Sequence, residues 1–282
     1  MKLAVSNIAW PAAERNAAYA LLRECGIAGL EVAPGLLLAA AADPRAPTAA
    51  EIAAAKVRID HAGLQAVSMQ SLLFGVEGAA LFEGEEPLAR LCDAIERAMD
   101  LAAALAIPNL VFGSPRQRVI PDSLDHEAAH AHAEAVFRRL GNAAQGRQCR
   151  IAIEPNGATY GTNFLNTLDE ALAFVERVAH PAVVLNFDIG ALHMEGDFDR
   201  VEDIAARAAP HIGHVHISEP HLAPAPADAG QAGRVLRALN SAGYRGWCSI
   251  EMAAEPQPLA ALHDAIVRAQ AAMALAGVEL AP

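Results

Sequence analysis

Segments with strand-like and helix-like hydrophobic patterns alternate along the whole of this 282-residue chain. The apolar runs predict eight strands, at Leu3–Trp10, Leu30–Ala33, Ala66–Ser71, Asn109–Gly113, Arg150–Glu154, Val183–Asp188, Gly213–Ser218 and Trp247–Glu251. Amphipathic stretches between them predict helices, such as those at Ala12–Cys25, Leu88–Leu105 and His126–Leu140. Four glycines fall where helices should end, namely Gly26, Gly63, Gly141 and Gly243.

Eight βα units without a break in composition predict one α/β domain over residues 1–282, folded as a single parallel (β/α)8 TIM barrel. A doubly wound sheet is the alternative, but such a sheet gathers its ligands at one switch point. The long segments Pro34–Pro47, Leu73–Pro87 and Glu219–Ala229 follow predicted strands and are candidate lids over an active face.

Four of the last five strand-like runs carry a potential metal ligand at or near their C-terminal end: Glu154, Asp188, His216 and Glu251. The ligands are separated by 34, 28 and 35 residues, about one strand and one helix each. Neighbouring parallel strands would bring all four side chains to the same end of a barrel. Three carboxylates and one imidazole suit one divalent cation, with Mn²⁺ as the first expectation and Mg²⁺ or Co²⁺ as alternatives. The alternative for each carboxylate is a strand-end residue paired with an arginine.

Glu154 and Glu251 have a second potential role as an acid–base pair. A cation bound to adjacent oxygens of a hydroxy-ketone acidifies the C–H between them, because it stabilises the enediolate as charge develops. Two carboxylates can then remove one proton and return another. The four-residue set therefore predicts proton-transfer chemistry on a carbonyl compound.

A family resemblance is carried by four segments: Glu154-Pro155-Asn156, Asp188-Ile189-Gly190, His214-Val215-His216-Ile217-Ser218 and Ser249-Ile250-Glu251-Met252. These segments resemble the xylose-isomerase-like TIM barrels, in particular the sugar isomerase and epimerase branch that includes ketose 3-epimerases. The resemblance implies that Glu154, Asp188, His216 and Glu251 are the metal ligands and that the two glutamates are the catalytic pair. The implied function is a divalent-metal-dependent isomerase or epimerase for a ketose or related keto-sugar.

Two positions depart from the ketose 3-epimerase pattern. Such epimerases usually have a histidine three residues after the aspartate ligand, where this chain has Ala191, and an arginine six residues after the histidine ligand, where it has Leu222. Both positions contact substrate in the epimerases. An alternative is therefore a metal-dependent dehydratase or lyase acting on a keto-inositol or a 3-keto-glycoside. A non-catalytic sugar-binding or partner subunit is an alternative of another class.

Several polar or aromatic residues near strand ends are candidates for contact with a sugar substrate: Trp10, Gln70, Arg116, His193, His214, Glu219 and His221. Other roles stay open for some of them. Trp10 could form an apolar wall for a sugar ring or simply pack in the core. His214 could orient a ligand, contact substrate or be a buried core histidine, and Arg116 could pair with a surface acid.

The segment from His126 to His130 matches the HExxH pattern of zinc proteases. It lies at the start of a presumed outer helix, so a solvated helix face is the expected role. The apurinic endonucleases of the same superfamily need extra histidine ligands on earlier strands. The ends of predicted strands three and four supply none.

Composition argues against nucleic acid as a partner, because the formal net charge is −12 and aromatic residues are only 5%. No leader-like segment and no apolar run of membrane-spanning length appears in the sequence, so we expect a cytoplasmic protein. The four cysteines lack CxxC spacing, which favours free thiols in a reducing compartment. The expected partners are a small sugar or polyol and further copies of the same chain.

Overall fold

Eight short strands pair in parallel, each with its neighbours in the sequence, and β8 pairs with β1 to close a barrel. The computed structural model describes residues 1–278. The strands are β1 (Lys2–Ser6), β2 (Gly29–Val32), β3 (Gln65–Met69), β4 (Asn109–Phe112), β5 (Arg150–Ile153), β6 (Val183–Asp188), β7 (Ile212–Ser218) and β8 (Trp247–Glu251). Nearly all strand residues are buried, as expected for strands enclosed by helices and by the barrel interior.

Helices cover the outside of the barrel and connect successive strands. They are α1 (Arg15–Glu24), α2 (Pro34–Leu37), α3 (Ala49–His61), α4 (Glu85–Leu105), α5 (His126–Gly146), α6 (Leu168–Val178), α7 (Ile189–Glu195), α8 (Val201–Ala208), α9 (Ala229–Ser241) and α10 (Pro258–Leu275). Because every connection crosses from the C-terminal end of one strand to the N-terminal end of the next, the C-terminal ends of all eight strands meet at one face. The prediction of a single (β/α)8 barrel is confirmed.

Closure of the barrel depends on a close approach at Gly29 in β2. A Cβ atom at this position would lie 2.6 Å from both the Ala4 side chain and the Trp247 ring, which is shorter than real contacts allow. The absence of a side chain therefore lets the first, second and last strands converge.

The first strand is shorter than its apolar pattern predicts. It ends at Ser6, and Asn7–Ala9 form a 3₁₀ turn. The Asn7 Oδ1 atom accepts a hydrogen bond of 2.7 Å from the backbone amide of Ala33, so its side chain occupies the place of a strand partner. The prediction that the strand extends to Trp10 is wrong for this reason.

Three of the four predicted helix-terminating glycines are confirmed. Gly26, Gly63 and Gly243 follow helix ends with φ of +71°, +70° and +92°, a conformation in which a side chain would be strained. Gly141 is different, because it lies inside α5, which continues to Gly146. A Cβ atom at Gly141 would lie 2.6 Å from the His180 ring, so this glycine permits close packing inside the helix instead of ending it.

Among residues 1–278, no helix combines the length and apolar character needed to cross a membrane. All four cysteines are free thiols, as predicted. Three of them, Cys92, Cys149 and Cys248, are buried.

Candidate metal centre

The four predicted ligands meet at the C-terminal face of the barrel. Asp188 and Glu251 are the last residues of β6 and β8, His216 lies near the end of β7, and Glu154 directly follows β5. One ligand atom from each residue lies within 4.8 Å of all the others. The sequence spacing alone predicted this convergence, and the structure brings the four side chains together.

The Nδ1 atom of His216 lies at the middle of the cluster. It is 2.8 Å from Glu154 Oε1, 3.2 Å from Glu251 Oε2 and 3.7 Å from Asp188 Oδ2. This nitrogen is buried and makes no hydrogen bond of acceptable geometry. A buried imidazole nitrogen surrounded by three carboxylates fits a divalent cation bound by nitrogen and oxygen ligands.

Electrostatics within the cluster also favour a positive charge at its centre. Although burial lowers the pKa of His216, the carboxylates of Glu251, Glu31, Asp188 and Glu154 hold it well above its usual value of 6.5. The protein groups by themselves thus favour a cationic centre, which a divalent ion would supply more strongly than a proton.

The pKa of Glu251 is raised as well, which in a carboxyl group favours the neutral form. Burial raises its pKa to about 7, His216 opposes the rise, and the neighbouring carboxylates of Glu154 and Asp188 add to it. A carboxyl group that exchanges its proton near neutral pH is suited to acid–base catalysis.

Glu154 is held by two amide side chains. Asn186 Nδ2 donates to Glu154 Oε1 at 2.8 Å, and Asn156 Nδ2 donates to Glu154 Oε2 at 3.3 Å. Gly113, which follows β4, makes room for this carboxylate, because a Cβ atom there would overlap Glu154 Oε2. The carboxylate is therefore restricted on three sides, with only its face toward the cluster left free for a ligand.

Asp188 combines a structural and a site role. Its Oδ1 atom accepts a hydrogen bond of 2.6 Å from the Ala191 amide and so caps the N-terminus of α7. Its Oδ2 atom accepts a hydrogen bond of 2.9 Å from Ser218 Oγ, and the same hydroxyl accepts the Gly190 amide. The helix cap fixes the direction in which this carboxylate faces the other ligands.

Glu31 in β2 orients His216 by contacting the ring nitrogen that faces away from the cluster. Its side chain is fully buried, and its Oε1 atom lies 3.1 Å from His216 Nε2. A carboxylate bonded to the outer nitrogen of a metal-binding imidazole fixes the ring and leaves the other nitrogen free for the metal. Sequence analysis did not include Glu31 in the site. A detectable signal was an acidic residue inside the apolar β2 segment Leu30-Glu31-Val32.

Gln70 links this support to the cluster itself. Its Nε2 atom lies 2.8 Å from Glu251 Oε1, 2.9 Å from Ser6 Oγ and 3.2 Å from Glu31 Oε2. The position of this predicted substrate residue is thus beside a candidate ligand, bridging β1, β2 and β8.

His214 lies two residues before His216 in β7, and both side chains are buried. Its Nε2 atom is 2.7 Å from Ser249 Oγ and 3.5 Å from Glu31 Oε1. Burial lowers the pKa of His214 to about 4, so the ring is neutral near pH 7. Glu31, His214 and His216 form a second close group of potential ligands, in which the two imidazoles share one carboxylate.

Two predicted substrate residues pair with each other at the rim. His193 in α7 lies 3.4 Å from Glu219 Oε2, and its ring packs on Phe198 with centroids 4.4 Å apart. Glu219 also accepts a hydrogen bond of 2.7 Å from the Ala227 amide, which ties it to the segment after β7.

The other three predicted substrate residues lie in different surroundings. The His221 amide donates to the Tyr160 hydroxyl at 2.8 Å, which joins the loops after β5 and β7. Arg116 is exposed in the 3₁₀ turn after β4. Trp10 is only 2% exposed and packs edge to face on Tyr19 of α1.

Arg118, two residues after Arg116, is fully buried and supports the site. Its Nη1 atom donates to the Glu154 carbonyl at 2.9 Å, and its Nη2 atom donates to Asn156 Oδ1 at 2.9 Å. The guanidinium thus fixes both Glu154 and one of the amides that orient it. From this loop the sequence prediction included Arg116 and not Arg118, because the order of residues does not show which side chain turns inward.

The HExxH pattern does not form a metal site with other candidate ligands in the described part of the chain. His130 is half-buried, and its ring packs against Phe164 with centroids 4.9 Å apart. His126 is exposed at the first turn of α5. The prediction of a solvated helix face therefore holds for His126 and is wrong for His130, which belongs to an aromatic cluster.

A comparison with models of protein families identifies the family of this chain. Residues 19–273 match the model of the xylose isomerase-like TIM barrel family. The chain belongs to this family. No curated protein matches the sequence significantly.

Solved structures of sugar epimerases share the fold of this family member. A D-psicose 3-epimerase structure determined in the presence of D-fructose aligns with a TM-score of 0.79 at 18% identity, over 98% of this chain and 100% of that chain. An L-ribulose 3-epimerase aligns with a TM-score of 0.77 at 17% identity, over 98% and 96%. A 3-keto-D-glucoside 4-epimerase from E. coli aligns with a TM-score of 0.75 at 19% identity, over 95% and 98%. At these identities the likeness shows a common barrel fold.

Proposed function

We propose that this chain is a divalent-metal-dependent isomerase or epimerase that acts on a ketose or a related keto-sugar. The observation that carries the proposal is the convergence of Glu154, Asp188, His216 and Glu251 within 4.8 Å at the C-terminal face of the barrel. Structural neighbours that are sugar epimerases support the substrate class.

A divalent cation held by the four side chains, with Mn²⁺ as the first expectation, would stabilise negative charge on the oxygens of the substrate. The chain itself supplies the groups that move the proton. Glu154 comes from β5 and Glu251 from β8, so the two carboxylates approach the site from different directions around the barrel. One removes a proton from the carbon beside the carbonyl group, and the other returns a proton to the substrate.

The surrounding residues give Glu154 and Glu251 different hydrogen-bond environments. Asn186 and Asn156 donate hydrogen bonds that hold Glu154. Glu251, with a pKa raised to about 7 mainly by burial, accepts one hydrogen bond from Gln70 and can carry a proton near neutral pH. This asymmetry suits a pair that exchanges acid and base roles in the two reaction directions.

A metal-dependent dehydratase or lyase on a keto-inositol or 3-keto-glycoside is the second candidate. Ala191 is buried where the ketose 3-epimerases are expected to carry a histidine, and Leu222 stands at the expected arginine position. Two polar contacts to a free ketose are thus replaced by apolar side chains. The same proton abstraction would then be followed by loss of a β-substituent. A sugar-binding subunit without activity is less well supported, because both catalytic carboxylates are present and held.

Incubation of the metal-loaded protein in D₂O with ketoses, keto-inositols and 3-keto-glycosides tests the proposal. We expect deuterium at the carbon beside the carbonyl and a product of unchanged mass apart from that exchange. Loss of water or of an aglycone, with no mass-neutral product in the panel, would replace the isomerase with the lyase. No exchange with any substrate would leave only the sugar-binding role.

We also expect a cytoplasmic homo-oligomer that binds neither nucleic acid nor membranes. Light scattering of the purified protein measures the oligomeric state, and cell fractionation measures the location. A monomer at micromolar concentration or a protein in the membrane fraction would contradict these expectations.

A further inference from the structure

A cavity of about 850 Å³ lies beside the candidate metal centre, at the C-terminal ends of the first three strands. Its inner wall includes Ile8, Ala33 and Ser71, which follow β1, β2 and β3. Its outer wall comes from α2, the loops after β2 and β3, and the inward face of α4. A cavity of this size falls in the range of small-molecule sites and is well above the volume that one monosaccharide fills.

Two hydrogen bonds connect a residue of the cavity wall to the candidate metal centre. Ser71 Oγ on the cavity wall lies 3.2 Å from Gln70 Oε1, and Gln70 Nε2 lies 2.8 Å from the Oε1 atom of the candidate ligand Glu251. Gln70 therefore lies between Ser71 of the cavity wall and the candidate ligand Glu251. The cavity and the metal centre both lie at the C-terminal face of the barrel, so a substituent on a sugar bound at the metal centre would have to reach across this face to enter the cavity.

Most of the cavity surface is apolar. Ala94, Ala98 and Leu101 of α4 line one side, and Leu72 and Val76 of the loop after β3 line another. Phe74 on the same loop is 82% exposed, so a large aromatic ring stands beside the opening without burial in the protein. An exposed aromatic residue at the rim of an apolar cavity is typical of a binding site for an apolar ligand.

Hydrogen bonds fix the loop after β2, which forms part of the outer wall of the cavity. Arg45 Nη1 donates to the Gly75 carbonyl at 2.6 Å and so joins the loop after β2 to the loop after β3. The Ala42 amide donates to Glu51 Oε1 at 3.3 Å, and Thr48 and Glu51 form a capping box at the start of α3. The loop after β2 is thus held at two points, which gives the cavity a preformed shape.

We propose that this cavity holds an apolar aglycone of a glycosidic substrate whose sugar lies at the candidate metal centre. The proposal rests on the proposed function and narrows its substrate class from free ketoses to keto-sugars with an apolar substituent. A free ketose would leave the cavity filled with water. An apolar substituent would bury its surface there and gain affinity through the hydrophobic effect.

Binding of three unreactive probes to the Mn²⁺-loaded protein tests the proposal: methyl, phenyl and octyl β-D-glucoside. We expect the phenyl or the octyl probe to bind about tenfold more tightly than the methyl probe by titration calorimetry, equivalent to about 1.4 kcal/mol. A preference for phenyl indicates an aromatic aglycone, and a preference for octyl indicates an aliphatic one. Equal affinity for all three probes would overturn the proposal.

Two variants and one control variant locate the binding. Ala98→Phe fills the cavity and should remove the preference, whereas Ala103→Phe makes the same change on an exposed face of α4 and should keep it. Phe74→Ala changes an exposed side chain, leaves the core intact and should weaken phenyl binding about threefold. A preference that survives both Ala98→Phe and Phe74→Ala would place the apolar group elsewhere and overturn the proposal.

Orientation is tested by the relaxation that bound Mn²⁺ causes in the probe protons. We expect the sugar protons to relax faster than the aglycone protons, and the reverse order would overturn the proposal. If Phe74 of a second copy fills the cavity, the wild type will show no probe preference and Phe74→Ala will dissociate the oligomer, which also overturns it. Metal content of the wild type and deuterium exchange with the panel of ketoses, keto-inositols and 3-keto-glycosides test the proposed function separately from the probe preference.

Discussion

Strands β5–β8 each deliver one candidate metal ligand, whereas β1–β4 deliver the groups that hold those ligands in place. The supporting residues lie at or near the C-terminal strand ends, with Ser6 at the end of β1, Glu31 in β2, Gln70 after β3 and Gly113 after β4. Glu31 bonds to His216, Gln70 bonds to Glu251, and Gly113 lies against Glu154. Ser6 accepts a hydrogen bond from Gln70. The first half of the barrel therefore supplies only supporting groups, whereas the second half carries the reactive groups and also supports some of them, as Asn186 does for Glu154 and Ser218 does for Asp188.

This difference shows why four ligands at four strand ends are not a complete description of the site. A carboxylate or imidazole binds a metal well only when its orientation and protonation are set by its neighbours. In this barrel those neighbours lie far away in the sequence, since Glu31 and His216 are separated by 185 positions. The comparison leads to tests in which one half is altered while the other stays intact.

The largest effect is expected from the reactive half. Glu154→Gln and Glu251→Gln should each lower deuterium exchange at substrate carbon by about 10³-fold or more, because an amide cannot take up the proton. Exchange is measured by mass spectrometry, with circular dichroism to show that the fold persists. Glu255→Gln, at a partly exposed glutamate outside the cluster, is the matched control and should keep full activity. Unchanged exchange in both site variants would contradict the two-carboxylate mechanism.

The next effect concerns the charge of Glu31 and the stability of the metal-free protein. Burial raises the pKa of Glu31, but His216 and His214 outweigh it and lower the pKa from 4.5 to about 2. Because the folded pKa is lower than the unfolded one, ionised Glu31 stabilises the fold above about pH 4.5. This contribution, about 3 kcal/mol, is lost as the pH falls toward 2.

Glu31→Gln should therefore flatten part of the acid dependence of stability. Urea unfolding in chelator at about pH 6 and about pH 3 measures it, and the wild type should lose more free energy of unfolding than the variant. Glu255→Gln again serves as the control, with a wild-type acid dependence. Parallel pH profiles for wild type and Glu31→Gln would show that the carboxylate is not charged beside the two imidazoles.

A steric test of the supporting half uses Gly113→Ala. The new methyl group would overlap Glu154 Oε2 and push this carboxylate from its position, so Mn²⁺ affinity should fall about 100-fold while the fold stays intact. Gly146→Ala is the matched control, because a Cβ atom there meets no atom within 4 Å. Equal Mn²⁺ affinity in both variants, measured by titration, would mean that Glu154 is not a ligand in this conformation.

Glu31→Gln should also weaken Mn²⁺ binding, by about 30-fold, because a neutral amide orients and polarises the His216 ring less strongly than a carboxylate does. His216→Ala should abolish stoichiometric binding and sets the lower limit for the comparison. If Glu31→Gln binds Mn²⁺ as tightly as the wild type, the supporting half does not act through His216.

The smallest effect is expected at Arg116, which is exposed and was predicted to contact substrate. Arg116→Ala should raise KM about threefold, with kcat and metal content unchanged, if its guanidinium binds substrate oxygens at the rim. Arg90→Ala, at an exposed arginine on α4, is the control and should leave KM unchanged. An unchanged KM in Arg116→Ala would remove this residue from the substrate site.

Barrel closure and the four-ligand cluster were predictable because both depend on regular features. Alternating βα units specify parallel neighbours, and a ligand at the end of each strand must then face the same space. Local exceptions were not predictable. The apolar run after Ser6 looks like strand, yet the side chain of Asn7 bonds to the backbone of Ala33 and ends the pairing. Gly141 looks like a helix end, yet it accommodates His180.

The sequence by itself determined the fold class, the strand that carries each candidate ligand and the type of cation that such residues suit. Hydrophobic periodicity and residue chemistry are local properties and can be read along the chain. Only the tertiary structure decided that Glu31 holds His216, that Arg118 turns inward while Arg116 stays exposed, and that a cavity adjoins Ser71 at the end of β3. These features depend on side-chain direction and on contacts between residues distant in the sequence, and no single segment encodes either.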